Sequence, residues 1–193
     1  MVYVDDRIWE FDLEAGLTEI SEQRREQALR YRHELGRRQC VLAYLLLKRA
    51  LREEFGITEN PVFAFGEHGK PTLVGHPDIH FNLSHCREAV ACVVGSRPVG
   101  IDIESVRPLK ESLVRYTMND LEISLIESDP SPDVTFIRLW TMKEATLKLS
   151  GRGISNDMKE VVDTDKLDYI SVELPHYVYT VCQQKKKKCL KKI

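Results

Sequence analysis

The sequence lacks several features that would place it in a common class of protein. No apolar run approaches the roughly 20 residues of a membrane-spanning helix, and residues 1–11 lack the basic start and apolar centre of a signal peptide. The five cysteines are odd in number and include no CxxC pair, which argues against a disulfide framework and a zinc site. No glycine-rich phosphate loop of the Walker or dinucleotide type occurs. We therefore expect a cytoplasmic protein without a membrane segment.

The composition is that of a soluble globular protein. Its 193 residues are 42% hydrophobic and 30% charged. This length is enough for one large domain or for two small domains that share a core. Residues 185–193 hold six lysines and no acidic residue. Such a run is usually a solvated, disordered tail, and the alternative is a docking aid for an acidic partner or surface. Because no DNA- or RNA-binding motif accompanies it, we expect no nucleic-acid partner.

The order of predicted elements indicates an α+β fold with two halves that meet near residue 100. Ser21 can cap the first predicted helix and Gly56 can end the second. Helices are predicted at residues 21–32, 36–55, 119–127 and 133–150. Strands are predicted at residues 2–11, 62–65, 72–74, 79–83, 89–95, 99–104 and 168–182, the last interrupted by Pro175. The order of strand, helices and strands thus occurs twice, which fits an α+β fold better than a doubly wound sheet.

The segment Gly100-Ile101-Asp102-Ile103-Glu104 alternates carboxylate and aliphatic side chains. On a strand, Asp102 and Glu104 share one face, while Ile101 and Ile103 share the other and can enter the core. Carboxylates that project together repel each other unless positive charge lies between them, and Mg²⁺ prefers such hard oxygen ligands. The alternative is a half-exposed edge strand with two solvated acids.

A second candidate segment comprises residues 140–148 of the predicted helix at residues 133–150. Side chains of mixed type form one stripe along it at spacings of three and four. They are Trp140, Lys143, Glu144, Leu147 and Lys148. An ordinary amphipathic helix would separate apolar from charged residues, although Glu144 and Lys148 could equally form a surface ion pair. A Gly-Arg-Gly turn at residues 151–153 then ends the helix.

Three further features could bind an anion. Ser84 and His85 end a predicted strand. They could hold phosphate oxygens or have a structural hydrogen-bonding role. They could also form a nucleophile and base, although sequence neighbours rarely achieve that geometry. A turn at Gly69-Lys70-Pro71 presents Lys70 at its tip. Arginines that could pair with phosphate, or only cover a solvated helix surface, lie in the first two predicted helices. They are Arg24, Arg25, Arg30, Arg32, Arg37 and Arg38.

The order of these segments resembles the phosphopantetheinyl transferases of the surfactin-synthetase-activating type. The resemblance covers about residues 20–155 and depends on Gly69-Lys70-Pro71, Phe81-Asn82-Leu83-Ser84-His85, Val99-Gly100-Ile101-Asp102-Ile103-Glu104, and residues 140–148 with Gly151 and Gly153. Two acids on a strand followed by Trp-x-x-Lys-Glu-x-x-x-Lys on a helix are highly specific as a combination. Cys86-Arg87 departs from the small residue and glycine that the family often has there.

The resemblance implies two similar α+β halves that form a pseudo-dimer, with the active site in the cleft between them. Residues 1–98 would contact the phosphates and adenine of coenzyme A. Residues 99–184 would carry the metal site and catalytic helix, and residues 185–193 would be a disordered tail. A two-half architecture of this kind also predicts a monomer.

The resemblance also implies a set of site residues. Asp102, Glu104 and Glu144 would surround Mg²⁺, and Asp102, Glu144 and Lys148 would be catalytic. Coenzyme A would contact Arg24, Arg38, Lys70, Pro71, Ser84, His85 and Lys148. A shift of one residue in the helix register would place Gln39 where Arg38 is expected.

The implied reaction transfers the 4'-phosphopantetheine arm of coenzyme A to a serine hydroxyl of an apo acyl or peptidyl carrier protein, in fatty-acid or polyketide biosynthesis. It releases 3',5'-ADP, and Glu144 or a metal-bound water takes the serine proton. Two alternatives remain at this stage: a non-catalytic module that binds coenzyme A or a carrier protein, and a metal-dependent phosphohydrolase that uses the same carboxylates.

Overall fold

The computed structural model describes residues 1–66, 68–151 and 158–185, and it has an α+β fold. The helices are α1 (Leu13–Glu19), α2 (Glu22–Leu29), α3 (Glu34–Phe55), α4 (Glu111–Thr117), α5 (Asp120–Ser128) and α6 (Pro132–Ser150), with a 3-10 turn at Met158–Glu160. The strands are β1 (Val2–Asp5), β2 (Phe63–Phe65), β3 (Pro71–Leu73), β4 (His80–His85), β5 (Val90–Gly95), β6 (Val99–Ser105), β7 (Leu167–Glu173) and β8 (Tyr177–Gln184). None of the described helices is long and apolar enough to span a membrane.

Capping residues set several of the helix ends. The Ser21 hydroxyl accepts from the Arg24 amide at the start of α2, as predicted. Asn119 and Glu122 form a capping box at the start of α5. Gly56 ends α3 in the left-handed conformation with φ of 70°, which glycine adopts without strain. The predicted helix boundaries therefore lie within a few residues of those observed.

Three elements differ from the sequence-based prediction: one strand is shorter than predicted, and two helices were not predicted. The first strand ends at Asp5 and does not reach residue 11, because the Asp5 carboxylate accepts from the Arg7 amide and turns the chain. Helices α1 and α4 are short elements of seven residues each that the sequence pattern did not predict. Asp12 caps α1 by accepting from the Ala15 amide, a signal that the sequence did carry.

The strands form three antiparallel sheets, with orders β1-β5-β4, β2-β3 and β6-β8-β7. In the first and third sheets, the last strand in sequence lies in the centre and pairs with both others. Strands β4 and β6 therefore lie at the edges of two different sheets. The candidate site lies where these two edge strands meet.

Strand β5 is buried on both faces and connects two cores. Val90, Cys92 and Val94 point into the core that α3 covers. Ala91 and Val93 point into a second core, which they share with residues of β6 and β8. The predicted inward pair Ile101 and Ile103 lies in that second core and is fully buried, so both halves of the chain contribute to the second core.

Helix α6 lies directly on β6 because Gly100 has no side chain. A Cβ atom at Gly100 would lie 2.1 Å from the Ala145 carbonyl oxygen and 2.7 Å from the Leu149 amide nitrogen. Each of these helix residues directly follows a candidate site residue, Glu144 or Lys148. The close approach therefore brings the helix candidates next to the strand candidates.

Substitution of Gly100 by alanine is expected to destabilise the protein by about 3 kcal/mol, because the helix backbone must move away from the strand. The measurement is equilibrium unfolding in urea. Gly95→Ala is the control, since the nearest atom to its added Cβ lies 3.9 Å away. Equal stability of Gly100→Ala and the wild type would contradict this account of the packing.

Candidate active site

Asp102 is the centre of the candidate site. The residue is only 3% exposed, and its Oδ1 accepts from the Lys148 Nζ at 2.6 Å and the Ser84 Oγ at 2.9 Å. The Lys148 Nζ also donates to the Ser84 Oγ at 2.8 Å. Strand β4, strand β6 and helix α6 thus each supply one member of a buried, charge-assisted cluster.

Glu104 and Glu144 lie beside this cluster and are partly buried. Desolvation, followed by the negative charge of Asp102, raises the pKa of Glu104. The same two causes, in the same order, raise the pKa of Glu144. The site therefore concentrates negative charge that its own lysine only partly neutralises, and a further cation would stabilise it.

The donor set of these residues suits a divalent cation. Asp102 Oδ2 and Glu144 Oε1 are buried and have no hydrogen-bond partner among the described residues, although such atoms normally have one. Both line a cleft together with Glu104, Trp140 and Lys148, and carboxylate oxygens are the ligands that Mg²⁺ prefers. Among residues 1–66, 68–151 and 158–185, however, no three Asp, Glu, His or Cys side chains are already arranged as a metal site. An ion there would require side-chain movement.

The raised pKa of Glu104 predicts that this residue reduces the stability of the metal-free protein. The folded state holds the Glu104 proton more tightly than the unfolded chain does, so ionisation destabilises the fold as pH rises through the raised pKa. We expect Glu104→Gln to raise the thermal midpoint near neutral pH with EDTA present. This gain should disappear as pH falls below the ordinary Glu value of about 4.3.

The control for this measurement is Glu127→Gln, which changes an exposed residue of α5 and should give no such gain. A lower midpoint for metal-free Glu104→Gln at neutral pH would show that the Glu104 carboxylate stabilises the fold, contrary to the argument above.

Lys70 joins the β2–β3 hairpin to the end of α6. Its Nζ donates to the Leu149 carbonyl oxygen at 2.8 Å, and burial lowers its pKa. Lys70 and Pro71 line a cleft of about 270 Å³ together with Glu144 and Lys148. The structure thus brings two predicted coenzyme contacts from the first half next to two catalytic candidates from the second.

His85 lines the same cleft as Lys148, and the charge of Arg24 also acts on it. Desolvation and then the positive charge of Lys148 lower the pKa of His85, and the Arg24 charge contributes in the same direction. The Arg24 guanidinium donates to the Cys40 carbonyl oxygen through two nitrogens and lies over the Tyr44 ring. Arg24 and Lys148 are therefore the positive groups near this end of β4, and they favour the neutral form of the His85 imidazole.

Arg38 points to a different part of the molecule. Its guanidinium donates to the carbonyl oxygens of Ile8 and Phe11 and lies over the Trp9 ring. The neighbouring Gln39 is buried and donates to the Cys86 carbonyl oxygen at 2.7 Å, directly after His85. Gln39, and not Arg38, thus contacts the chain at this end of β4. Which of the two side chains contacts coenzyme A stays a prediction.

The predicted stripe along α6 is divided in the structure. Lys148, Glu144 and Trp140 face the cleft, but Lys143 is completely buried on the side of α5. Its Nζ lies 2.8 Å from Glu122 Oε1 and 2.8 Å from the Met158 carbonyl oxygen. Lys143 therefore does not share the cleft face with Glu144 and Lys148, because the helix turns this side chain towards the capping box of α5.

The lysine run and the turn after α6 lie mainly outside the described residues. Residues 152–157 and 186–193 are among those not described. Within the described part, the Lys185 amide donates to the Lys166 carbonyl oxygen and so continues the β7–β8 pairing. The predicted tail at residues 185–193 lies outside the described residues from residue 186 onwards and stays a prediction.

Comparison with known proteins gives this arrangement a family. Residues 98–188 match the sequence model of the 4'-phosphopantetheinyl transferase superfamily, and similarity to named 4'-phosphopantetheinyl transferases extends over most of the chain. It is similar to 4'-phosphopantetheinyl transferase Sfp of Bacillus subtilis strain 168, with 29% identity over 178 residues that cover 90% of this chain and 80% of the relative. It is also similar to psf-1 of Bacillus pumilus (34% over 139 residues, 70% and 60% coverage) and gsp of Aneurinibacillus migulanus (32% over 138 residues, 70% and 57%).

Proposed function

We propose that the protein transfers the 4'-phosphopantetheine arm of coenzyme A to a serine hydroxyl of an apo carrier protein. The observation that carries this proposal is the buried contact of Lys148 with Asp102 at 2.6 Å, at the end of a cleft lined by Lys70. The carboxylates thus lie next to the cations Lys70 and Lys148. This arrangement suits the transfer of a charged phosphoryl group, which requires alignment and charge neutralisation more than covalent chemistry. The names of the relatives support the same activity.

Coenzyme A would occupy the cleft between the two halves. Lys70 and Lys148 would contact its phosphates, and Pro71 would shape the entrance. His85, which lines the cleft with Lys148, would be a further contact, and Arg24 would add positive charge near it. Arg38 would have to leave its contacts with Ile8 and Phe11 to join them. The exposed Arg87, where the family often has glycine, lies just beyond this end of β4.

Asp102, Glu104 and Glu144 would hold a Mg²⁺ ion. When bound, such an ion would neutralise charge on the pyrophosphate of coenzyme A. The unpartnered oxygens of Asp102 and Glu144 support this assignment.

The residues of the chain itself would then move the proton and the charge. Glu144, whose pKa is raised by desolvation and by Asp102, would accept the proton of the carrier serine as a general base. The serine oxygen would bond to the β-phosphorus as the bond from that phosphorus to the bridging oxygen breaks, and 3',5'-ADP would leave. Lys148 would stabilise the negative charge that develops on the phosphate oxygens.

The proposal includes a pseudo-dimer of residues 1–98 and 99–184, with the protein active as a monomer. The shared strand order, in which the central strand is the last of its half, supports it. So does the core that both halves share, since each half covers apolar surface of the other. The lysine-rich end would give an acidic carrier a favourable electrostatic approach.

The experiment that tests the activity follows 3',5'-ADP by chromatography after coenzyme A, Mg²⁺ and an apo carrier protein are mixed with the enzyme. We expect release only when the carrier is present. Equal release without a carrier would indicate a phosphohydrolase. Binding of coenzyme A with no release under either condition would indicate a non-catalytic module.

A further inference from the structure

The edge strands β4 and β6 are connected by side chains that bond to backbone. Asn82 Oδ1 accepts from the Ile101 amide at 3.0 Å, and Ser84 Oγ accepts from the Ile103 amide at 3.3 Å. Alternate residues on β4 thus accept from alternate residues on β6, and all four are buried. Because the β6–β8 pairing uses only one edge of β6, these two side chains satisfy amides on its other edge, which would otherwise be buried without partners.

The hydrogen-bonding capacity of Ser84 is fully used within the protein. A serine hydroxyl has one proton to donate and two lone pairs with which to accept. Ser84 Oγ donates to Asp102 Oδ1 and accepts from the Ile103 amide and the Lys148 Nζ. No capacity is left for an oxygen atom of a bound phosphate. Ser84 is also buried, with only 6% of the residue exposed. An approaching ligand would therefore have to displace one of these partners.

We propose that Asn82 and Ser84 are positioning residues, which fix β6 against β4 and thereby direct the Asp102 carboxylate towards the cleft. Ser84 acts at two points, since it holds both the Ile103 backbone and the carboxylate itself. Asn82 holds the strand two residues earlier, at the Ile101 amide. This assignment differs from a direct contact of Ser84 with coenzyme A, and its catalytic consequence rests on the proposed function.

Hydrogen exchange tests the backbone part of the proposal without any activity. We expect Ser84→Ala to accelerate exchange of the Ile103 amide about tenfold, and Asn82→Ala to do the same at Ile101, because each amide loses its acceptor. The measurement is amide-resolved NMR on the full chain. Ser171→Ala is the matched control. Ser171 lies on β7, the opposite edge strand of the sheet that contains β6, and its hydroxyl contacts Thr180. Its removal should leave the exchange rates of the Ile101 and Ile103 amides unchanged.

Kinetics test the positioning of Asp102. If Ser84 orients the carboxylate, Ser84→Ala should raise the Mg²⁺ concentration for half-maximal transfer about tenfold while the KM for coenzyme A changes less than twofold. An unchanged Ile103 exchange rate, or a raised KM for coenzyme A with an unchanged Mg²⁺ requirement, would overturn the proposal in favour of a ligand contact. Should Ser84→Ala not fold, Ser84→Cys has a similar size and only weak hydrogen bonding, and the same outcomes apply.

The two tests separate this proposal from the proposed function. If the wild-type protein shows no transfer, the proposed function fails, whereas the exchange rates of Ile101 and Ile103 still decide whether Asn82 and Ser84 hold the strand.

Discussion

Asp102→Asn is expected to lower kcat/KM for transfer by about 10²–10³-fold, the loss that follows removal of one well-placed charged group from an active site. The substitution keeps the shape of the side chain and its Oδ1 acceptor, but it removes the negative charge that pairs with Lys148. It also replaces the unpartnered Oδ2 with an amide nitrogen, which cannot bind a cation. The measurement is the initial rate of carrier modification over a range of coenzyme A and Mg²⁺ concentrations.

Asp168→Asn is the matched control for that experiment. Asp168 is an exposed carboxylate on β7, at the far edge of the same sheet, and its loss should change the rate less than twofold. Wild-type activity in Asp102→Asn at every Mg²⁺ concentration would contradict the assignment of Asp102 to the catalytic site.

Lys143→Met is expected to destabilise the protein by about 3–5 kcal/mol, the usual cost of removing one partner of a buried ion pair. Lys143 is 0% exposed, and its removal leaves the Glu122 carboxylate without its cation and takes a donor from the Met158 carbonyl oxygen. For a domain of this size the thermal midpoint should fall by at least about 6 °C. Denaturant unfolding, monitored by circular dichroism, measures the change directly.

A double-mutant cycle separates the ion pair from the packing of the side chain. Glu122→Gln keeps an oxygen that can cap α5, and it removes the charge that Lys143→Met would leave unpaired. We therefore expect Lys143→Met/Glu122→Gln to be less destabilised than the sum of the two single variants. Lys166→Met, in an exposed pair with Asp163, should leave the unfolding midpoint unchanged. Additive effects in the cycle would rule out the ion pair as the source of stability.

The alternation of residues on β6 made the central part of the site predictable. Ile101 and Ile103 had to share a face, so Asp102 and Glu104 had to share the other, and the structure places the aliphatic pair in the core. The helix stripe similarly predicted that Glu144 and Lys148 would lie together. The specific combination of strand acids and helix residues supplied the family, which the comparisons confirm.

The contacts that tertiary structure alone decides could not be predicted. Nothing in the local pattern distinguishes Lys143, which turns to Glu122, from Lys148, which turns to Asp102. Arg38 likewise finds its partners in Ile8 and Phe11, far away in sequence. Long cationic side chains have many rotamers, so their direction depends on which acceptors the fold places within reach.

The use of Asn82 and Ser84 as backbone acceptors was also hidden from the sequence, since their partners belong to the edge of another sheet. Their sequence context indicated only that several hydrogen-bonding groups occur together at the end of a strand. The close fit of Gly100 against Ala145 explains how Glu144 and Lys148, which follow Gly100 by more than 40 residues in the sequence, can complete the site.

The most direct test of the central claim is the intact mass of an apo carrier protein after incubation with this enzyme, coenzyme A and Mg²⁺. The account predicts that the carrier gains the mass of one phosphopantetheine arm, that fragmentation places the arm on a serine, and that the Asp102→Asn enzyme produces little of this species in the same time. An unchanged carrier mass across acyl and peptidyl carriers with the wild-type enzyme would contradict it.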